Sequence, residues 1–256
     1  MIDLHSHLLW NVDDGPTTME QTIKMLNRAV EEGITEIIAT SHYQHPLYSV
    51  DFSEVHQKVS ILQLELLKNN IPLTIHQGHE VRLSTNILSQ YKQLSIHSLA
   101  GSDYMLIELP SNSVPYYTSH IIQELTFAGI IPIIAHPERN RAIYANPRLL
   151  EELIRMGAFT QITAGSLAGN YGRKIQKFSL KLLEANLIHT YGSDAHNLTT
   201  RPFLFKEGLK VLENRRLASY VQLLLENNRC VIKNKPLTVF EPESVKKNKW
   251  FFYNQF

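Results

Sequence analysis

The chain has 256 residues, of which 43% are hydrophobic and 19% charged, a composition typical of a globular protein with an apolar core. Its formal net charge of +1 argues against a general nucleic-acid binder, so we expect no nucleic-acid partner. The one cysteine, Cys230, excludes an intramolecular disulfide. We predict neither a secretory signal nor an apolar run of membrane-spanning length, and therefore expect a cytoplasmic location.

Short apolar segments alternate with longer amphipathic segments along the chain. This alternation predicts β–α units around a mainly parallel sheet, and seven units favour a barrel, with a doubly wound sheet as the alternative. In the first predicted helix, Ile23, Leu26 and Val30 share one side, and Gly33 is a helix-stop signal. The predicted strands cover 2–7, 36–42, 73–80, 104–110, 130–138, 159–165 and 188–196, and the predicted helices cover 19–33, 51–70, 116–129, 146–157 and 172–186.

The first predicted strand carries two histidines, His5 and His7, two residues apart. Because side chains alternate along a strand, both imidazoles should point to one side, with Leu4 and Ser6 on the other. Paired aspartates follow in the next loop. Two imidazoles with a nearby carboxylate are typical of part of a metal site.

Ligand-type side chains also stand at the ends of later predicted strands. The C-terminal ends of parallel barrel strands meet on one face, where active sites are built. Five imidazoles and four carboxylates exceed the needs of one tetrahedral zinc ion but suit two or three divalent ions with a bridging carboxylate. With no thiolate in the set, we expect Mn²⁺, with Fe²⁺ or Zn²⁺ as alternatives. The nine residues are His5, His7, Asp14, His42, Glu80, Glu108, His136, Asp194 and His196.

Arginines follow two of these motifs. Arg139 and Arg201 are interpreted as phosphate contacts, because a guanidinium offers a planar fork that matches phosphate oxygens, whereas Arg141 is interpreted as a surface residue. Three divalent ions would also carry more positive charge than four carboxylates can balance, and a phosphate dianion would neutralise the remainder. The other histidines are interpreted as non-ligands: His79 on the opposite face of its strand, His76 and His189 near strand starts, and His45, His56, His97 and His120 at the surface.

The order of these motifs resembles the PHP (polymerase and histidinol phosphatase) family. HSH, the SH at 41–42, the HE at 79–80, AHPER and SDAH carry the resemblance. Through DDGP, ATSH, AHPERN, QITAGSLAG and SDAHN, the chain is most similar to one branch, the bacterial manganese-dependent protein-tyrosine phosphatases of capsule and exopolysaccharide gene clusters. The resemblance implies an α/β fold, a distorted (β/α)7 TIM-like barrel with a trinuclear metal site at the strand C-termini.

The resemblance also implies how the ligands are divided. One metal would take His5, His7, Glu80 and Asp194; a second would share Glu80 and add Glu108 and His136; a third would take Asp14, His42 and His196. Asp13 is the alternative to Asp14. Arg139 and Arg201 match the positions that would hold the phosphate in this branch. The implied reaction is direct phosphoester hydrolysis, and no general acid is assigned.

The implied substrate is the C-terminal tyrosine cluster of a membrane-associated bacterial tyrosine kinase that controls polysaccharide synthesis. We expect one phosphatase domain over 1–240 and a basic and aromatic tail over 241–256, which could contact the membrane or the membrane-bound kinase. A small-molecule phosphoesterase of the histidinol-phosphatase type and a non-catalytic metal-stabilised scaffold are the alternatives. Cys230 is not expected to be a nucleophile, because VIKNKP after it lacks a phosphate-binding arginine.

Overall fold

The computed structural model describes residues 1–215 and 217–245, and parallel strands in chain order form the centre of this part. The last strand returns to the first, since Ser6 pairs with Ala195 and the His7 N–H donates to the Ala195 carbonyl at 2.8 Å. The predicted (β/α)7 TIM-like barrel is therefore confirmed. The strands are β1 (Ile2–Ser6), β2 (Glu36–Tyr43), β3 (Thr74–Arg82), β4 (Tyr104–Glu108), β5 (Ile131–Ala135), β6 (Phe159–Thr163) and β7 (Thr190–Gly192).

Helices connect the strands and cover the outside of the barrel. Helix α1 shows why they form where they do: Thr18 caps its first turn by accepting from the Gln21 N–H, and its apolar side buries Met25, Leu26 and Ala29. In the described part of the chain, no helix is long and apolar enough to cross a membrane. The helices are α1 (Met19–Glu31), α2 (Phe52–Lys68), α3 (Ile87–Lys92), α4 (Thr118–Phe127), α5 (Arg141–Ala145), α6 (Arg148–Arg155), α7 (Ala164–Ala168), α8 (Arg173–Glu184), α9 (Phe205–Glu213) and α10 (Ala218–Ile232).

A small apolar cluster precedes the predicted site along the strands and shows why the ligand-type side chains lie at the strand ends. The cluster contains alternate strand residues, among them Ile38 of β2 and Leu106 of β4, and includes Val231 of α10. The period of two along a strand keeps His42 on the face of Ile38, and Glu108 on the face of Leu106. The same strand faces thus carry apolar side chains first and ligand-type side chains at their C-terminal ends.

Strand β1 departs from strict alternation. Asp3 pairs with Ile37 whereas Ser6 pairs with Ala39, so the register shifts and marks a β-bulge. The prediction that placed His5 and His7 on one side relied on an uninterrupted strand. Both imidazoles nevertheless reach the same site, because the bulge redirects the end of the strand.

The segment after α10 packs against the barrel helices as far as it is described. The Glu243 N–H donates to the Ala185 carbonyl at 2.8 Å, and the Ser244 hydroxyl donates to Glu151 at 3.1 Å. The predicted tail over 241–256 lies outside the described residues from 246 onward. Its separation from a domain over 1–240 stays a prediction.

Candidate metal centre

The C-terminal ends of the strands bring the nine predicted residues together. His5, His42, Glu80 and Glu108 belong to β1 to β4, and the remaining side chains follow β1, β5 and β7 in the next loop. All are buried except His136 and Asp14, whose side chains are 15% and 32% exposed. The side chains form three sets whose ligand atoms lie within 4.8 Å of one another: His5, His7, Glu80 and Asp194; Glu80, Glu108 and His136; and His7, Asp14, His42 and His196.

Glu80 stands at the centre of these sets. Its Oε2 lies 3.3 Å from His5 Nε2 and 3.2 Å from both His7 Nε2 and His42 Nδ1. Its Oε1 lies 2.7 Å from His136 Nε2. One buried carboxylate therefore reaches four imidazoles, the position expected of a bridging group.

The two neighbouring aspartates face different groups. Asp14 Oδ1 lies 3.1 Å from His196 Nε2 and 3.4 Å from His42 Nε2, inside the cluster. Asp13 lies behind His7, where its Oδ2 is 3.0 Å from Nδ1 and also accepts from the His42 N–H. The geometry thus brings Asp14, and not Asp13, to the shared ligand atoms.

Two residues orient the histidines of the first strand: Asp13, which was predicted only as an alternative ligand, and Gln161, which was not predicted. Asp13 accepts from His7 Nδ1, and Gln161 of β6 accepts from His5 Nδ1 through its Oε1 at 2.8 Å. Because these oxygens only accept, each fixes an imidazole with Nε2 turned toward the cluster, as second partners of metal-binding histidines do. A glutamine inside a buried strand was the available signal for Gln161.

Charge pairing sets the protonation of the cluster in the absence of a metal. Burial alone would lower the pKa of His7, but Asp13 and Glu80 outweigh burial and raise it to about 10. Burial would also lower the pKa of His5, but the charges of Glu80 and Asp194 outweigh burial and raise it. Burial and the neighbouring His7 instead lower the pKa of His196 to about 4. Protons on His5 and His7 thus occupy positions that a cation can take.

The carboxylates are held in their charged form. Burial would raise the pKa of Asp194, but Arg139 and Arg201 hold it well below its usual range. Burial would raise the pKa of Glu80, which His5 and His42 instead hold well below its usual range. The site therefore keeps ionised oxygen ligands available at neutral pH.

Unpaired polar atoms test whether a metal fits. Within the described residues, the buried His42 Nδ1 and His196 Nε2 each have a carboxylate oxygen within 3.2 Å, but the pairs are not aligned as hydrogen bonds. A buried nitrogen without a hydrogen bond is costly unless a ligand satisfies it. Imidazole nitrogens and carboxylate oxygens suit first-row divalent cations, so the residues present fit such an ion.

The two predicted arginines lie beside the cluster. Arg139 Nη2 donates to Asp194, and its guanidinium lies 5.0 Å from the centre of the Tyr171 ring. Arg201 donates to Asp14 at 2.9 Å and to both oxygens of Asp194 at 3.1 Å. Both guanidiniums line a cavity of about 290 Å³ together with Asp14, His42, Glu80, Glu108 and His136. Anion-binding groups thus adjoin the ligand-type residues in one open cavity.

Other polar residues correct or support the earlier interpretations. His97 was expected at the surface but is buried. Its ring stacks on the Phe52 ring with 3.6 Å between ring centres, and its Nε2 lies 2.9 Å from the Phe52 carbonyl oxygen. His45 was also expected at the surface but lines the cavity. His79 lies away from the cluster, where it contacts the Val50 carbonyl, as predicted. Arg82, not predicted, pairs with Glu108 at 2.9 Å.

Comparisons with known proteins agree with this geometry. The model of a family described as "Capsular polysaccharide synthesis, CpsB/CapC" matches residues 1–233. The chain is 42% identical to the putative tyrosine-protein phosphatase CapC of Staphylococcus aureus, covering 98% of this chain and 99% of CapC. It is 41% identical to the tyrosine-protein phosphatase YwqE of Bacillus subtilis (strain 168), with the same coverage.

A solved structure extends the match to three dimensions. It comes from the pair YwqE of Bacillus subtilis and CpsB of Streptococcus pneumoniae, described as unique metal-dependent tyrosine phosphatases. The TM-score is 0.94 at 40% identity, with 96% of this chain and all of that chain covered. A histidinol phosphate phosphatase of Lactococcus lactis, at a TM-score of 0.51 and 14% identity, shares the fold. The chain belongs to the CpsB/CapC family of capsular polysaccharide synthesis.

Proposed function

We propose that this protein is a metal-dependent protein-tyrosine phosphatase that removes phosphate from a bacterial tyrosine kinase of capsular or extracellular polysaccharide synthesis. The observation that carries the proposal is the meeting of nine buried or half-buried ligand-type residues with Arg139 and Arg201 around one cavity. Named relatives that cover nearly the whole chain are tyrosine-protein phosphatases.

The ligand sets support two or three divalent ions. We assign one ion to His5, His7, Glu80 and Asp194, a second to Glu80, Glu108 and His136, and a third to Asp14, His42 and His196, with Mn²⁺ as the expected metal and Fe²⁺ or Zn²⁺ as alternatives. Bound divalent ions would activate water for attack on phosphorus and neutralise charge on the phosphate oxygens.

The chain's own residues bind and orient the phosphate. The Arg139 and Arg201 guanidiniums lie where they can donate to phosphate oxygens while Asp194 holds both in place. The leaving phenolate of tyrosine has a pKa of about 10, so its departure needs less protonation than that of an alkoxide. We therefore assign no residue as a general acid.

His45 supplies an aromatic wall for the substrate ring. Its ring stacks on the His42 ring with 4.5 Å between ring centres, and the centre of the Tyr48 ring lies 5.6 Å away. For His45→Ala we expect the KM of a phosphotyrosyl peptide to rise about three- to tenfold with kcat nearly unchanged, because aromatic contacts contribute about 0.5–1.5 kcal/mol. His120→Ala, an exposed histidine on α4, is the matched control for steady-state kinetics. An unchanged KM in His45→Ala would contradict the assignment.

Metal uptake should release protons. The pKa of His7 is raised to about 10, so below that pH its imidazole holds a proton that a metal on Nε2 must displace. We expect Mn²⁺ binding at about pH 8 to release about one to two protons per chain, and affinity to rise with pH. Calorimetry in buffers of different protonation enthalpy measures the release. An affinity independent of pH between about 6 and 9 would argue against ligation by His7.

A purified, metal-loaded sample tests the proposed function. Metal content is measured, and hydrolysis of phosphotyrosine peptide, phosphoserine peptide and histidinol phosphate is compared with and without Mn²⁺. We expect turnover of the phosphotyrosine peptide that chelator removes. Preference for histidinol phosphate would instead indicate a small-molecule phosphatase, and bound metal without hydrolysis would indicate a scaffold.

The kinase partner and the cellular location belong to the same proposal. We assign the C-terminal tyrosine cluster of the kinase as the physiological substrate, and we place the protein in the cytoplasm, where ATP-dependent kinases act. We also assign to the tail over 241–256 a contact with the membrane or the membrane-bound kinase through its basic and aromatic residues. Phosphopeptide and intact kinase, compared as substrates before and after deletion of 246–256, separate recruitment from catalysis.

A further inference from the structure

A second cavity of about 540 Å³ lies between α5, α6, α8 and residues 244–245. We call it the basic groove and define it by Tyr144, Arg148, Lys174, Lys177, Phe178 and Lys181, which line it. We propose that the basic groove binds a second phosphotyrosine of the substrate polypeptide while the first occupies the catalytic cavity. The inference rests on the proposed function and specifies which substrates the enzyme prefers.

The charge of the basic groove points to an anion. Lys174 and Lys177 stand three residues apart on α8, so they share one face of the helix, and both are exposed. Arg148 adds a third exposed cation from the start of α6. Among the described residues, none of these three side chains has an ion pair, and no acidic residue lines the cavity. A dianionic phosphate would offset this concentration of positive charge.

The aromatic side chains of the basic groove point to a phosphorylated ring. Tyr144 is 47% exposed, and its ring meets the buried Phe178 ring edge to face at 4.9 Å. A phosphotyrosine can pack its ring against Tyr144 while its phosphate reaches the lysines of α8. An aspartate or glutamate side chain has no ring, so it would contact only the basic side chains of the groove.

Helix α5 connects the two cavities. Its first residue, Arg141, donates its N–H to the carbonyl of Ser111 at the catalytic cavity, whereas Tyr144 and Ala145 at its other end line the basic groove. A helix rises about 1.5 Å per residue, so α5 spans about 7 Å. An extended peptide advances about 3.3 Å per residue. The length of α5 therefore corresponds to about two residues of extended peptide, and because each phosphotyrosine must also reach into its own cavity, we infer a spacing of about three to six residues between the two phosphotyrosines.

The protein's own C-terminal segment is the competing occupant. Ser244 and Val245 line the basic groove, and the sequence continues KKNKWFFYNQF. That continuation carries lysines and no acidic residue, so its charge has the same sign as the groove. Charge complementarity favours the phosphorylated substrate.

The test compares peptides with one and two phosphorylated positions. The second position, three to six residues from the hydrolysed one on either side, carries the non-hydrolysable difluoromethylphosphonate analogue of phosphotyrosine. For the full-length, metal-loaded protein we expect kcat/KM to be about tenfold higher with the analogue than with unmodified tyrosine there. We expect K174E/K177E to lose this gain and to hydrolyse the singly phosphorylated peptide within about twofold of the wild-type rate.

The control variant K233E/K235E changes the charge equally at the end of α10, and we expect it to retain the gain. The proposal is overturned if no spacing gives a gain, if K174E/K177E keeps it, or if only deletion of 246–256 removes it. It is also overturned if K174E/K177E loses binding to phosphatidylglycerol vesicles but keeps the peptide preference. Fluorescence anisotropy with the analogue at both positions tests the groove without turnover, so a protein that hydrolyses neither peptide refutes the proposed function separately.

Discussion

Glu80→Gln is expected to lower kcat/KM for a phosphotyrosine peptide by about a thousandfold or more and to lower the metal content of the purified protein. The substitution keeps the size of the side chain but removes the charge that faces His5, His7 and His136. It also replaces one accepting oxygen with a donating amide. Both proposed ion sets that share Glu80 should therefore weaken together. Elemental analysis and steady-state kinetics on the same preparation measure the two effects.

Glu36→Gln is the matched control for Glu80→Gln. Glu36 forms a carboxylate–imidazole pair with His76 at 2.9 Å, just as Glu80 does with His136. The Glu36 pair, however, lies near the N-terminal ends of β2 and β3, away from the metal centre. We expect Glu36→Gln to keep its metal and to retain activity within about twofold, because its side chain is already partly solvated. Full metal content and normal turnover in Glu80→Gln would overturn the bridging role.

The barrel was predictable because its strands and most of the helices between them have distinct patterns. Apolar runs separated by amphipathic segments of more than three turns predicted the β–α order, and α1 follows its predicted range within two residues at the C-terminal end. Shorter helices such as α5 and α7 were missed, because five residues do not establish a helical period. The longer α9 and α10 were also missed, because no helix was predicted beyond 172–186. The bulge in β1 was also missed, since its pairing depends on where β2 and β7 lie.

The gathering of ligand-type residues followed from topology, whereas their partners did not. His42 and Glu80 end parallel neighbouring strands, so sequence position alone placed them at one edge, and they are paired in the register. Arg82 was missed because the predicted strand ended at residue 80, whereas β3 continues to Arg82, which pairs with Glu108 on the next strand. Gln161 of β6 contacts His5 of β1 because strands far apart in sequence meet there. His97 was misjudged for the same reason, since its burial depends on the ring of Phe52.

Arg139→Lys is expected to lower kcat/KM for aryl phosphates about a hundredfold and to weaken inhibition by orthophosphate, with metal content unchanged. The Arg139 guanidinium is held between Asp194 and the Tyr171 ring, so its position at the cavity is fixed before phosphate arrives. A lysine supplies a point charge but neither the planar fork nor the stacking surface. Phosphate binding should therefore fall even though the charge is kept.

The exposed Arg141, two residues further along, provides the control, and we expect Arg141→Lys to leave kinetics and phosphate inhibition unchanged. Metal content separates the two roles open to Arg139, because Asp194 is both its partner and a proposed ligand. If Arg139→Lys loses metal in proportion to activity, the guanidinium acts by positioning Asp194. If metal is retained while orthophosphate inhibition weakens in parallel with kcat/KM, the guanidinium binds the phosphate, which is the result that the open cavity beside Arg139 leads us to expect.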